Sequence, residues 1–208
     1  MLPKLSIVSI GVHDDILNWV AKYKPVSIII VNERGQSRPE RPWEENEIVR
    51  MGWAMVSSPK TLWIFRSWPD GIGENIPGWP LWERLIKCFE PFRGMSCPKM
   101  THGYNEPGDP WVFTIEGAKA LANIEIKFAE RIHNAGLLYG GLCFPESHLG
   151  KDHQHLWKYL APALAHLDAW CPNEYDWPWV LTSRDQGYKW RVGHWEHQLL
   201  EIRKHSSN

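Results

Sequence analysis

Residues 114–143 read TIEGAKALANIEIKFAERIHNAGLLYGGLC, a helix followed at once by a strand. The Thr114 hydroxyl is suited to accept an orphan backbone N–H at a helix start, and Glu116 falls in the first turn, where the helix dipole favours an acid. Ala118, Ala122, Ile126, Ala129 and Ile132 recur at three- and four-residue spacing and line one face. Gly136 supplies the left-handed stop. The apolar run 137–143 that follows is too short for a helix and reads as a buried strand. With a further apolar run at 100–104 before it, the segment is strand, helix, strand.

The same unit recurs in both directions. Apolar, β-branched runs at 5–10, 26–31, 61–65, 100–104, 137–143 and 169–171 predict six strands, each followed by a helical pattern. Asp14 or Asp15 can cap a first helix carrying Ile16, Val20 and Tyr23, ended by Pro25. A polar loop over 32–41 leads to a second helix with Ile48, Met51, Met55 and Val56, stopped before Pro59. Trp79-Pro80 opens a third, bearing Leu81, Leu85 and Phe89. Leu156, Leu160, Ala163, Leu164 and Leu167 mark the fifth, where Pro162 implies a kink or a late start. Trp195, Leu199 and Ile202 mark the sixth.

Strand starts 21 to 39 residues apart are the rhythm of a (β/α) barrel or an open doubly wound sheet with right-handed crossovers. A closed barrel needs eight units and typically about 250 residues. The count here reaches six. The expectation is therefore an α/β fold of TIM-barrel type in one domain over 1–208: an incomplete barrel of six parallel strands with helices outside, stopping before strand seven and open between strands one and six. Such a barrel exposes strand edges and apolar helix faces, which predicts self-association.

The composition narrows the function classes. The 208 residues carry 23 Lys+Arg and 24 Asp+Glu, a net charge of -1, and 43% are hydrophobic. That is an ordinary packed globule with no electrostatic footprint for nucleic acid or an anionic membrane. No apolar run reaches the roughly 18–20 residues of a spanning helix, and the first ten residues lack a signal-peptide pattern, so the cytoplasm is the default expectation. Four cysteines without a Cys-x-x-Cys pair indicate neither a zinc knuckle nor a disulfide scaffold. No Gly-x-Gly-x-x-Gly follows strand one and no phosphate-binding Gly-rich loop with Lys-Ser/Thr occurs, so no nucleotide cofactor is expected. Fourteen tryptophans are several-fold more than usual. An indole suits both core filling and stacking under sugar rings, and three or four are expected at a site.

In parallel α/β architectures ligands bind at the carboxyl ends of the strands. Those ends are polar here: Arg66-Ser67-Trp68 after strand three, Thr101-His102-Gly103-Tyr104-Asn105-Glu106-Pro107 closing strand four, Pro145-Glu146-Ser147-His148 after strand five, and Asn173-Glu174-Tyr175-Asp176-Trp177 after strand six. Asn105-Glu106-Pro107 at the end of a fourth strand resembles the signature of the retaining glycoside hydrolases of clan A, which are (β/α)₈ barrels. The resemblance implies that Glu106 is the general acid/base and Asn105 binds the substrate's 2-hydroxyl, with the nucleophile a Glu ending strand seven. Arg66 and the acidic, aromatic group Glu174, Tyr175 and Trp177 extend the likeness.

Glycoside cleavage needs an acid for the leaving oxygen and a second carboxylate, about 5–5.5 Å away in retaining enzymes and about 6.5–9.5 Å in inverting ones. Desolvation by Trp68, Tyr104 and Trp177 would raise the pKa of Glu106 as an acid catalyst requires. Arg66 can clamp a hydroxyl or simply form a salt bridge. Tyr175 can orient a carboxylate through its phenol. Trp68, Trp177 and Trp179 can be stacking platforms or core, and His102 shares a strand face with Glu106 or is a buried core histidine.

His148, Asp152, His153 and His155 match no ligand spacing with a mechanism, so neither a metal nor any other cofactor is expected. Two readings follow: a glycosidase-like enzyme on a β-linked oligo- or polysaccharide, or a barrel that holds a glycan without cutting it. With strand seven expected beyond Asn208, turnover of aryl glycosides by these 208 residues is expected at background and unchanged by Glu106→Gln. Glu146 and Glu174 are the carboxylates that can substitute for the nucleophile.

Overall fold

A computed structural model of the chain describes residues 6–32, 43–67, 81–103, 113–144, 149, 153–171 and 194–205. Six strands, β1 (Ser6–Ile10), β2 (Ser27–Asn32), β3 (Leu62–Ser67), β4 (Lys99–His102), β5 (Leu138–Gly141) and β6 (Ala169–Trp170), form one all-parallel sheet in sequence order. Helices α1 (Asp14–Tyr23), α2 (Glu45–Ser57), α3 (Leu81–Phe89), α4 (Ile115–Asn134), α5 (Trp157–Leu164) and α6 (His194–His205) lie between and after them in the chain. The fold is α/β, and every strand and helix expected above is present. Among the described residues no helix is long and apolar enough to cross a membrane. The chain divides into two compact units, Met1–Asp70 with Trp79–His102 and Arg131–Tyr139, and Gly71–Gly78 with Gly103–Glu130 and Gly140–Asn208.

In the first unit the strand register sorts the side chains. Ile28 pairs with Trp63, and Ile30 with Phe65. Phe65 stacks on Phe89 of α3 at 4.4 Å and meets Trp43 at 5.5 Å and Phe92 edge-on at 5.6 Å, so this face of the sheet is the one covered by helices. The alternate residues Val8, Ile29, Ile64 and Met100 form a row across β1–β4 on the opposite face. Its cover deepens along the row, from Val8 at 59% exposed to Met100 at 4%.

Three local readings are corrected here. His13 occupies the N-cap position of α1 without a side-chain cap hydrogen bond, and Asp14 and Asp15 occupy the first turn, where their charge suits the dipole. Its buried residues are Leu17 and Val20, whereas Tyr23 is exposed. On α2 the buried stripe is Met51, Ala54 and Met55, while Val56, one residue past it, is turned to solvent. Strand β3 runs two residues further than expected because Val31 pairs with Arg66 and Asn32 with Ser67, so β2 continues to offer hydrogen bonds past the apolar run. Gly136 ends α4 as anticipated, at φ 76°, with the Leu137 N–H donating back to the Ile132 carbonyl at 3.2 Å.

In the second unit Thr114 caps α4, its Oγ1 accepting the Gly117 N–H at 3.0 Å. Ala118, Leu121 and Ala122 of α4 pack with Leu142 and Phe144, with Leu156, Trp157 and Leu160 around the start of α5, and with Ile202 of α6. The small alanines bring the helix close to its neighbours. A 3-10 turn, Gln154–Leu156, precedes α5, so the α-helix starts one residue after the expected stripe, and Pro162 lies inside it.

Candidate functional site

Glu106, Asn105, Trp68, Tyr175, Glu174 and Trp177, with Trp179, Glu146, His148 and Asp152, lie outside the described residues. Arg66 and His102 are described, both in the first unit. Arg66 is within β3, not after it, and is half-buried, while His102 is the last residue of β4 and is buried. Phe65 pairs with Thr101, so Arg66 and His102 stand at the next level of the same two strands, on the face turned away from α3. An arginine and a histidine therefore sit side by side at the carboxyl ends of β3 and β4.

A cavity of about 80 Å³ in the same unit, bordered by Phe89, Arg93, Lys99 and Leu137, opens instead at the amino ends of β4 and β5. In TIM-barrel enzymes the active site lies at the opposite, carboxyl end of the strands. Cys97, nearby in sequence, is buried; desolvation pushes its thiol above the ordinary range, with the Lys99 charge opposing.

The second unit holds a group at the ends of β5 and β6 that the sequence reading passed over. Leu142, just past β5, takes the left-handed conformation at φ 52°. Its N–H donates to the carboxylate of Glu125 at 3.3 Å, and its carbonyl accepts the Phe144 N–H at 3.0 Å, which folds the chain sharply. Glu125 is fully buried on α4. A buried carboxylate is costly unless hydrogen-bonded, and a left-handed leucine costs about 1–3 kcal/mol, so each feature supports the other.

Beside this bend are two cysteines in the thiol state, Cys143 buried and Cys171 half-buried. Their sulfurs lie within 4.8 Å of each other. Trp157 meets Phe144 and Trp170 edge-on at 5.7 and 5.9 Å, so an aromatic file leads from the core to half-buried Trp170 at the end of β6. Of the His-rich stretch, His153 packs edge-on against Phe113 at 4.9 Å, an aromatic contact.

The sequence did hold a signal for Glu125. It is seven residues from Ala118 and from Ile132 and four from Ala129, an acid in the middle of the apolar stripe of α4. The cysteine pair was visible as residues 143 and 171, each ending an expected strand. No protein-family model and no curated protein matches the chain.

Proposed function

We propose that the chain is a glycoside-hydrolase-like protein with a TIM-barrel-type fold that acts on the O-glycosidic bonds of a β-linked oligo- or polysaccharide, with Glu106 as its acid/base. One observation carries the reading. The fourth of six sequential parallel strands ends at His102, and Asn105-Glu106-Pro107 begins three residues further along the chain. The carboxyl end of a parallel strand is where an enzyme of this architecture keeps its catalytic groups. Arg66 and His102, neighbours at the ends of β3 and β4, supply polar groups at that same end.

In this reading the Glu106 carboxyl protonates the leaving glycosidic oxygen while a second carboxylate, which the resemblance places at the end of a seventh strand about 5–5.5 Å away, attacks the anomeric carbon and forms a glycosyl ester. Glu106, now ionised, takes a proton from the water that hydrolyses the ester. Asn105 holds the 2-hydroxyl, Arg66, Glu174 and Tyr175 flank the reacting centre, and Trp68 and Trp177 stack on the sugar faces.

Binding is the decisive readout, because the reading requires a glycan to be held before it is cut. Calorimetric titration with a panel of β-linked oligosaccharides is expected to find saturable binding to at least one. That binding should survive Glu106→Gln, which keeps the shape of the side chain, and weaken about tenfold or more, about 1.4 kcal/mol, in Asn105→Ala and Trp68→Ala, which remove a hydrogen-bonding group and an apolar stacking face. Absence of binding across the panel, or binding indifferent to all three substitutions, overturns the proposal.

A further inference from the structure

We infer that Cys143 and Cys171 are a reactive dithiol, a covalent modification site that a hydroperoxide converts to a disulfide across the ends of β5 and β6. The inference is independent of the carbohydrate reading. Its basis is geometric. Gly141 pairs with Trp170, and the Cys171 N–H donates to the Gly141 carbonyl at 3.2 Å, so Cys171 stands level with Leu142 on the adjacent strand. Cys143 is one residue beyond that level, and in an unbroken strand it would point to the opposite face. The left-handed Leu142, held by the Glu125 carboxylate, breaks the alternation, and the two sulfurs come within 4.8 Å of each other.

Neighbouring strands are about 4.8 Å apart, and a disulfide needs Cα atoms about 4.4–6.8 Å apart with its sulfurs at about 2.05 Å. Closing the bridge requires the two sulfurs to move from within 4.8 Å of each other to about 2.05 Å across adjacent strand ends.

Burial assigns the two roles. Cys171 is half-buried and within reach of a small oxidant, whereas Cys143 is fully buried. The Cys171 thiolate attacks the O–O bond of the hydroperoxide, becoming a sulfenic acid and releasing the alcohol or water. The Cys143 sulfur then attacks the sulfenic sulfur, the S–S bond forms, and the hydroxyl leaves as water with the proton that Cys143 gives up. Two thiols lose two electrons and one hydroperoxide is reduced by two, so the step balances without a further reagent.

The test treats the reduced, folded 208-residue chain with stoichiometric hydrogen peroxide and maps the peptides by mass spectrometry, with far-UV circular dichroism of every variant. The wild type is expected to lose two hydrogens in a single Cys143–Cys171 link that dithiothreitol reverses. Cys143→Ser is expected to stop at a sulfenic acid on Cys171, trapped by dimedone. Cys171→Ser is expected to leave Cys143 at least about tenfold slower to oxidise than in the wild type. A link that uses Cys88 or Cys97, wild-type oxidation only after unfolding in urea, or undiminished oxidation of Cys143 in Cys171→Ser overturns it. The wild-type map decides the pairing even if a variant fails to fold.

Discussion

Three buried tryptophans allow one substitution to be read against two backgrounds. Trp63 and Trp157 are fully buried, and among the described residues nothing accepts a hydrogen bond from their indole N–H groups. Trp43 is buried too, but its Nε1 donates to the Cys88 carbonyl at 3.0 Å. Replacing any of them by Phe removes two ring carbons and the N–H. At about 0.8 kcal/mol per buried carbon the lost apolar contact costs about 1.6 kcal/mol. An orphaned buried donor carries a penalty of about 1–3 kcal/mol, so at Trp63 and Trp157 its removal offsets that cost and leaves a change between about 0.6 kcal/mol destabilising and about 1.4 kcal/mol stabilising. At Trp43 nothing is relieved, and a bond worth about 0.5–1.5 kcal/mol net is lost as well, for a total of about 2–3 kcal/mol. Urea unfolding followed by far-UV circular dichroism separates the cases: with a slope of about 1–3 kcal/mol/M, a 2 kcal/mol difference moves the midpoint by about 1 M. Trp157→Ala, which empties the site, is the size control at about 3–5 kcal/mol. The reasoning fails if Trp43→Phe is no more damaging than Trp63→Phe and Trp157→Phe.

Gly136 has φ 76° and open space where a Cβ would sit, so Gly136→Ala should cost about 1–2 kcal/mol by conformation alone, whereas Gly94→Ala, equally open and without a positive φ, should be close to neutral by the same urea titration. Because burial raises the Cys97 pKa, its stabilising contribution is fully present below the ordinary thiol pKa and is lost as pH rises through the higher folded value. The urea midpoint of the wild type should therefore fall more steeply above the ordinary thiol range than that of Cys97→Ala; parallel slopes would show that Cys97 does not hold its proton through burial.

The strands were legible because a parallel sheet covered on its faces needs continuous apolar runs, and those at 26–31 and 61–65 have no other use. Where β3 stops was not legible. Arg66 and Ser67 are polar, and only pairing with Val31 and Asn32 of β2 extends the strand through them. The exposed Tyr23 and Val56 were misassigned for a related reason: spacing gives the direction of a helix's apolar face, while its width depends on what packs against it. Asn105-Glu106-Pro107 lies outside the described residues, whereas Arg66 and His102 share a sheet face at the ends of β3 and β4.

Glu125 is the more instructive omission. Spacing analysis collects the residues that fit an apolar stripe and discards the one that does not, yet an ionisable side chain in such a stripe must find a partner or destabilise the core. Glu125 finds the Leu142 N–H, and through it fixes a left-handed turn that no local propensity of Leu-Cys-Phe would select. That turn in turn sets where Cys143 points. The acid that breaks the periodicity of α4 is thus the sequence feature from which the bend after β5 follows. The two cysteines that meet there, 28 residues apart in the chain, are brought together by pairing between β5 and β6 and by this bend, and neither contribution is local to the cysteines themselves.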